Sequence, residues 1–215
     1  MKDLIIIGAS GLGREIAWVV ERINKKEPTW NLLGFVDDNE TIHGSEINSY
    51  RVLGGCDCLE NYPDAYVVCA VGSANIRKKI IDKVNSLFPN VKYATLIDPT
   101  VELSELVSIG EGTVICAHSI LTVNIEIGRF VIINLDCTVG HDAVLDDFVT
   151  VYPSVNVSGN VNVGSCAELG TGAQIIQGKN IGSNSIIGAG AVVVKDIPGN
   201  CTAVGSPAKP IKFFE

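Results

Sequence analysis

The sequence predicts an α/β domain with a short parallel sheet, followed by a parallel β-helix that begins near residue 96. Up to residue 95, short apolar runs alternate with segments of helical spacing, which is typical of strand–helix–strand units. From Ile97 onward, an aliphatic residue returns at every sixth position without interruption. Because 47% of the 215 residues are hydrophobic but only 6% are aromatic, the core of both parts must be mainly aliphatic.

The first domain, residues 1–95, has the pattern of half a Rossmann-like fold. The runs LIIIG, LLGFVDD and AYVVCAVG predict strands over 4–8, 32–38 and 65–72. Apolar residues at helical spacing predict helices over 13–26 and 75–88. Fewer than 100 residues precede the repeats, which leaves room for one mononucleotide-binding half rather than the two of a full dinucleotide fold.

The second domain, residues 96–215, is built from hexapeptide repeats. Their first positions are Ile97, Leu103, Ile109, Ile115, Leu121, Ile127, Ile133, Val139, Leu145, Val151, Val157, Val163, Leu169, Ile175, Ile181, Ile187 and Val193. The fifth position is usually small or β-branched, and the second is often glycine, at 110, 128, 140, 164, 170, 182 and 188. This pattern predicts a solenoid whose coils bury one large and one small side chain per repeat. We expect the second-position glycines to supply unrestricted φ at the corners.

A glycine-rich loop lies between the first predicted strand and helix, with the sequence Gly8-Ala9-Ser10-Gly11-Leu12-Gly13. Backbone N–H groups and a helix N-terminus bind phosphate at such a place, although the spacing differs from GxGxxG. Acids that end the next strand accept hydrogen bonds from a ribose or a base. The predicted nucleotide-site residues are Gly8, Ser10, Gly11, Gly13, Asp37 and Asp38, with Ser73 and Asn75 facing the same crevice.

His141 and Asp142 interrupt the regularity of the repeats. In the repeat register Val139 and Ala143 point inward, so the pair occupies an outward-facing corner. An imidazole, with an ordinary pKa of about 6.5, removes a proton at neutral pH, and a carboxylate on its other nitrogen fixes the tautomer. Adjacent residues seldom make that contact, so Asp136, Asp146 and Asp147 are alternative partners for the imidazole.

The hexapeptide repeats, the GASGLG loop and the FVDD segment together resemble the NeuD/PglD-like family of hexapeptide-repeat sugar acetyltransferases over nearly the whole chain. The resemblance implies a left-handed β-helix, acetyl-CoA as co-substrate, no metal, and a homotrimer with active sites between subunits. The implied reaction is acetylation of the 4-amino group of a nucleotide-linked amino sugar, with UDP as the nucleotide, in bacterial glycan biosynthesis. The alternative is O-acetylation of sialic acid or a related sugar.

The same resemblance implies roles for individual residues. His141 is the general base with Asp142 beside it, and the N–H of Gly159, eighteen residues later, meets the thioester carbonyl. Leu12 stands where many members of the family have a histidine, and this departure puts the acceptor sugar in question. Further implied contacts are Asn134 with the sugar, and Thr150, Gly159, Ala189, Gly190 and Lys209 with coenzyme A, Lys212 being a further candidate for its phosphates.

Several other functions are disfavoured by the sequence. A net charge of −8 without a basic run argues against nucleic acid or an anionic membrane as partners. The run LIIIGA is too short to span a bilayer, and seven cysteines without CxxC spacing are typical of a cytoplasmic protein. A zinc hydratase with this helix needs three histidines, whereas the repeats contain only His118 and His141. A non-catalytic scaffold remains an alternative, in which His141 would be dispensable.

Overall fold

A six-stranded sheet forms the centre of the N-terminal unit in the structure, a computed structural model that describes residues 1–214. Its strands are β1 (Lys2–Ile7), β2 (Trp30–Val36), β3 (Glu46–Ile47), β4 (Tyr50–Gly54), β5 (Tyr66–Cys69) and β6 (Lys92–Tyr93). The order is β3-β4-β2-β1-β5-β6, parallel except for the β3–β4 hairpin. The helices are α1 (Gly11–Lys26) and α2 (Ala74–Leu87), with short 3-10 helices at Glu40–Ile42 and Cys56–Asn61.

The strands and helices predicted for this unit are present, with ends shifted by at most three residues. The sequence did not reveal β3, β4 and β6. Two of these strands have only two residues, and β4 buries only Val52, so none of them carries a strong hydrophobic pattern. Neither helix within residues 1–214 is long and apolar enough to cross a membrane.

The hexapeptide repeats form a three-sided parallel β-helix, in which strands pair with the strand eighteen residues later up to the last coil. At the C-terminal end β22 pairs with β24 sixteen residues later, and β25 adds to β24 in the antiparallel direction. Face 1 contains β7 (Leu96–Ile97), β10 (Val114–Ile115), β13 (Ile132–Ile133), β16 (Thr150–Val151), β19 (Glu168–Leu169), β22 (Ile186–Ile187), β24 (Cys201–Val204) and β25 (Lys209–Phe213). Face 2 contains β8 (Glu102–Leu103), β11 (Ile120–Leu121), β14 (Thr138–Val139), β17 (Asn156–Val157), β20 (Gln174–Ile175) and β23 (Val192–Val193). Face 3 contains β9 (Val107–Ile109), β12 (Ile125–Ile127), β15 (Val144–Leu145), β18 (Asn162–Val163) and β21 (Asn180–Ile181). The turns between faces form three edges of the prism, which we call vertices 1–2, 2–3 and 3–1.

The interior of the prism follows the predicted register. From Ile115 onward, every first-position aliphatic side chain is buried, each contributing about 1.5–3 kcal/mol of gross transfer free energy. The first coil differs, because no coil lies beneath it: Leu103 is 38% exposed, and Ile97 and Ile109 are half-buried.

The explanation expected for the second-position glycines is wrong. The left-handed residues of the coils are at the fourth position and are mostly not glycine, as at Asn124 (φ 54°) and Asp142 (φ 58°). The second-position glycines are required by the stacking of coils instead. A Cβ on Gly140, for example, would lie 2.6 Å from the backbone nitrogen of Gly159 in the next coil.

The N-terminal unit packs on face 1 of the prism. Leu96, Val114 and Cys116 on the outer side of that face share one hydrophobic cluster with Ile16 and Val20 of α1. Vertex 2–3 is the edge opposite face 1 in a three-sided prism. It therefore lies on the side of the molecule away from the N-terminal unit.

A buried arginine joins α2 to the prism. Arg77 is 1% exposed, and burial lowers the pKa of its guanidinium to about 10. The guanidinium donates to the Thr150 hydroxyl and to the carbonyl oxygens of Val71, Gly72, Phe130, Phe148 and Val149, at 2.6–3.2 Å. These bonds satisfy a charge that would otherwise be costly to bury.

The predicted contact of Thr150 with coenzyme A is wrong for this chain. Thr150 is 1% exposed, and its hydroxyl donates to the Gly72 carbonyl at 2.7 Å while accepting from Arg77 at 2.9 Å. The outward side of face 1 is covered here by the N-terminal unit, so the position is closed to a ligand.

Candidate active site

His141 lies on vertex 2–3, in the turn between β14 and β15. Its side chain is 50% exposed, and Nδ1 lies 2.8 Å from Oδ2 of Asp142. An ionised carboxylate only accepts hydrogen bonds, so this contact assigns the proton of the neutral imidazole to Nδ1. Nε2 is then the nitrogen that is free to accept a proton.

Asp142 is the acid that contacts His141. The backbone conformation at Asp142 explains how two adjacent residues make this contact. Side chains of adjacent residues point to opposite sides of an extended strand, but Asp142 adopts a left-handed conformation with φ 58° that turns the chain. The three alternative acids lie on other vertices. Asp147 binds Arg129 at 3.0 Å, Asp136 accepts from the hydroxyl of Ser154 at 3.2 Å, and Asp146 precedes Asp147 on vertex 3–1.

The carboxylate of Asp142 has a second partner in the preceding coil. Nδ2 of Asn124 donates to Oδ1 of Asp142 at 3.3 Å. Hydrogen bonds from His141 and then from Asn124 lower the pKa of the Asp142 carboxyl below its usual value. The acid is therefore ionised at neutral pH and bonded through both oxygens.

Gly159 lies directly against the imidazole, one coil after His141. A Cβ on this glycine would lie 2.4 Å from Nε2 and 2.6 Å from Cε1 of His141. Its N–H is bonded to no acceptor among residues 1–214. The site thus combines a free imidazole nitrogen with an unpaired backbone donor, the two groups that acyl transfer uses for proton removal and for the oxyanion.

The glycine-rich loop has two positions that only glycine satisfies. Gly8 has φ 99°, and a Cβ on Gly13 would lie 2.0 Å from the carbonyl oxygen of Gly8. Gly11 has no such constraint, since the nearest atom to its Cβ would be 3.8 Å away. Ser10 is the exposed N-cap of α1 and makes no capping bond through its side chain. The start of α1 is therefore open to an anionic ligand.

A second loop borders the same crevice. β1 and β5 are neighbours, with Ile7 paired to Cys69, so Ser73 at the N-cap of α2 and the exposed Asn75 lie beside the glycine-rich loop. Chain crossovers leave β1 and β5 in opposite directions, and ligands of open α/β sheets bind at such a point. The structure therefore brings these predicted residues together.

Two residues of the prism that the sequence did not reveal close this crevice. A Cβ on Gly72 would lie 3.7 Å from the hydroxyl of Tyr152 and 3.9 Å from the Leu12 side chain. Tyr152 donates to Oε2 of Glu168 at 3.1 Å, and Oε1 of Glu168 accepts from the backbone N–H of Ala74 at 2.9 Å. Burial, together with the charge of Glu168, raises the pKa of Tyr152 to about 12. The crevice is thus bounded by both units of the chain.

The two predicted acids have different surroundings. Asp37 accepts backbone N–H bonds from Ala9 and Asn39, both at 2.9 Å, so it holds the glycine-rich loop. Asp38 bonds Lys83 at 2.8 Å, which lowers the pKa of its carboxyl. Asp38 also borders an open cavity of about 500 Å³ with Glu40, His43, Gly54, Gly55, Asp57 and Cys58. Asp38 therefore borders a space that would admit a base or a ribose, whereas both carboxylate oxygens of Asp37 are bonded to the backbone.

The remaining predicted residues are separated from His141 within one chain. Asn134, Ala189 and Gly190 lie on vertex 1–2, and Lys209 lies in the exposed β25. Asn134 is only 8% exposed, and its side-chain oxygen accepts from the N–H of Leu135.

The two histidines of the prism are also apart, because His118 lies on vertex 1–2 and His141 on vertex 2–3. In residues 1–214, no three His, Cys, Asp or Glu side chains are grouped so as to hold a metal ion. The arrangement that a zinc hydratase needs is therefore not found in this part of the chain.

Comparison with known proteins gives consistent matches. A family model described as the PglD N-terminal domain matches residues 3–84. A GDP-perosamine N-acetyltransferase of Escherichia coli O157:H7 is 32% identical over 158 residues, which cover 73% of this chain and 70% of the relative.

Solved structures match over nearly the full length. The acetyltransferase domain of PglB from Neisseria gonorrhoeae FA1090, in complex with acetyl coenzyme A, is 33% identical with a TM-score of 0.88, covering 98% of this chain and 99% of that one. A histidine-to-asparagine variant of perosamine N-acetyltransferase from Caulobacter crescentus, in complex with CoA and GDP-perosamine, is 27% identical with a TM-score of 0.90, covering 99% and 98%. The predicted fold class, an α/β domain followed by a left-handed parallel β-helix, is confirmed.

Proposed function

Because the chain belongs to the NeuD/PglD-like family of sugar acetyltransferases and is an acetyl-CoA-dependent enzyme, we propose that it acetylates the 4-amino group of a nucleotide-linked amino sugar in bacterial glycan biosynthesis. One observation carries this proposal. The imidazole of His141, held through Nδ1 by Asp142, presents Nε2 next to the unpaired N–H of Gly159 on an exposed edge of the prism.

In the proposed reaction, the amino nitrogen of the sugar attacks the carbonyl carbon of acetyl-CoA. Nε2 of His141 removes a proton from that nitrogen, and Asp142 stabilises the resulting imidazolium. The N–H of Gly159 donates to the oxyanion of the tetrahedral intermediate. The carbon–sulfur bond then breaks, and the proton returns from His141 to the sulfur of coenzyme A.

We further propose that the active site lies between subunits of a homotrimer. The glycine-rich crevice belongs to the unit packed on face 1, whereas His141 lies on the opposite edge of the prism. We therefore infer that a nucleotide bound at that crevice places its sugar at His141 of a neighbouring chain. Vertex 1–2 of a neighbour would bring Ala189, Gly190 and, from β25, Lys209 to the coenzyme A groove.

A mixed-oligomer experiment tests this arrangement. We expect His141→Ala and Gly11→Asp to be inactive alone, because the first removes the base and the second places a negative charge where the loop binds phosphate. Chains of both kinds, co-expressed and purified as mixed trimers, should recover about a third of wild-type activity, since one of the three sites in each mixed trimer combines an intact histidine with an intact loop. Oligomers of Gly11→Asp with the doubly substituted chain are the control and should recover nothing. If the mixture of single variants is equally inactive, the site lies within one chain.

The identity of the nucleotide is a separate part of the proposal. The family resemblance points to UDP, whereas the Escherichia coli and Caulobacter crescentus relatives are named for GDP-perosamine. Each is a single nucleotide, as the length of the N-terminal domain predicts, so we propose a UDP-linked sugar with a GDP-linked sugar as the second candidate.

A panel of acceptors tests the substrate class. We expect thiol release from acetyl-CoA with a UDP- or GDP-linked 4-amino sugar and not with free sialic acid. The productive nucleotide sugar should also raise the thermal midpoint, because a ligand at a hundred times its Kd adds about 2.7 kcal/mol to the free energy of unfolding. As a control, Gly11→Asp should lose this shift while keeping the shift caused by acetyl-CoA. Faster turnover of sialic acid would favour the O-acetyltransferase alternative.

A further inference from the structure

Asn124 is the residue that contacts the side of Asp142 turned away from His141. The two residues occupy the same repeat position in successive coils of vertex 2–3. Nδ2 of Asn124 donates to Oδ1 of Asp142 at 3.3 Å, while Oδ2 of Asp142 lies 2.8 Å from Nδ1 of His141. The three side chains therefore form one continuous chain of hydrogen bonds.

The carboxylate of Asp142 depends on these two contacts for its orientation. Its side chain is 47% exposed, and among residues 1–214 its oxygens bond only His141 and Asn124. A carboxylate with a single partner at an exposed corner would be free to rotate into solvent. Within residues 1–214, the amide of Asn124 is thus the one group, besides the base itself, that is bonded to the carboxylate and limits this rotation.

The corner does not require an amide for its own conformation. Asn124 has φ 54°, but the same left-handed repeat position holds other residue types elsewhere in the prism, namely His118, Phe130, Ser154, Cys166, Gly172 and Gly178. Asn184, with φ 57°, makes a comparable contact with Asn200 at 3.1 Å on another edge. At vertex 2–3 the partner of the amide is the carboxylate that holds the proposed base.

We propose that Asn124 is a positioning residue for acetyl transfer: it orients Asp142 so that His141 keeps its proton on Nδ1 and leaves Nε2 free. This inference rests on the proposed function, in which Nε2 of His141 is the base. Loss of the contact allows the imidazole to place its proton on Nε2 instead, and that tautomer cannot accept a proton from the amine.

Substitution of Asn124 by glycine removes the side-chain amide without straining the backbone, because glycine adopts positive φ without strain. We expect Asn124→Gly to lower kcat about tenfold, the effect of losing one hydrogen bond to a charged group, with the KM values for both substrates unchanged. Asn124→Asp keeps the size of the side chain but lacks the donor, and it should lose at least as much. Asn184→Gly is the matched control and should behave like wild type. Wild-type kcat in Asn124→Gly would overturn the inference.

A double-substitution cycle tests whether Asn124 acts through Asp142. In an Asp142→Gly background, Asn124→Gly should change kcat by less than about twofold, because the group that it orients is already missing. If the two losses multiply, Asn124 contributes independently of Asp142 and is not a positioning residue in the sense proposed.

A spectroscopic readout separates this inference from the choice of acceptor. The chain has three histidines, so ¹⁵N-histidine spectra of the full-length protein can be assigned with His141→Ala. We expect the neutral imidazole of His141 to carry its proton on Nδ1 in wild type and to become a mixture of tautomers in Asn124→Gly. An unchanged tautomer overturns the inference. Absence of turnover by wild type with every acceptor would overturn the proposed function alone.

Discussion

Replacement of His141 by alanine is expected to lower kcat at least about a hundredfold, the usual contribution of a general base. The groups proposed to bind acetyl-CoA and the nucleotide sugar remain in place, so the KM values should change little. The effect is large because no other imidazole shares vertex 2–3, and His118 lies on a different edge. Steady-state thiol release with the productive acceptor measures the loss.

The unfolding temperature and the thermal shift with acetyl-CoA distinguish loss of the base from loss of folding or of acetyl-CoA binding. The side chain of His141 is half-exposed, so His141→Ala should unfold at nearly the wild-type temperature. It should also keep the thermal shift caused by acetyl-CoA. Activity close to wild type would remove the assignment of the base and favour the non-catalytic scaffold. A loss of folding would instead show that His141 stabilises the coil.

The prism could be predicted from the sequence because its coils repeat one local rule. An aliphatic residue at every sixth position is enough to define an inward side. The distance between coils is not visible in such a pattern, so the sequence does not show that glycines such as Gly140 are required by the close approach of the next coil. The burial of Thr150 is hidden for a related reason, since the repeat shows which side faces outward but not that the N-terminal unit covers face 1.

The candidate site was predictable where it departs from the repeat, at His141 and Asp142. Tyr152 and Glu168 were not, because their contacts with the crevice join residues about eighty or more positions apart and exist only once the two units pack together. The buried position of Arg77, in contrast, could be predicted from the sequence. Arg77 shares a helical stripe with the buried Ala74, Ile81 and Val84, and a charged residue on such a stripe indicates a specific buried partner.

Gly159→Ala is expected to reduce kcat about as much as His141→Ala, although it removes no catalytic group. A Cβ at residue 159 would lie 2.4 Å from Nε2 of His141, closer than such contacts occur, and the neighbouring ring is the group that can move. Gly159 has no positive φ, so alanine is compatible with the backbone. The coil should therefore stay folded while the imidazole swings towards solvent, away from the amine and the thioester.

The cause of this loss can be separated from an effect on the oxyanion donor, because alanine keeps the backbone N–H of residue 159. If displacement of the ring is the whole effect, Gly159→Ala should cost nothing further in a His141→Ala background, and the kcat of the double variant should equal that of His141→Ala. A further loss would mean that the added methyl group also disturbs the donor or the thioester. Wild-type kcat in the single variant would mean that the imidazole does not rest against Gly159 during the reaction. The proposed position of the base, with Nε2 beside the N–H of Gly159, would then be wrong.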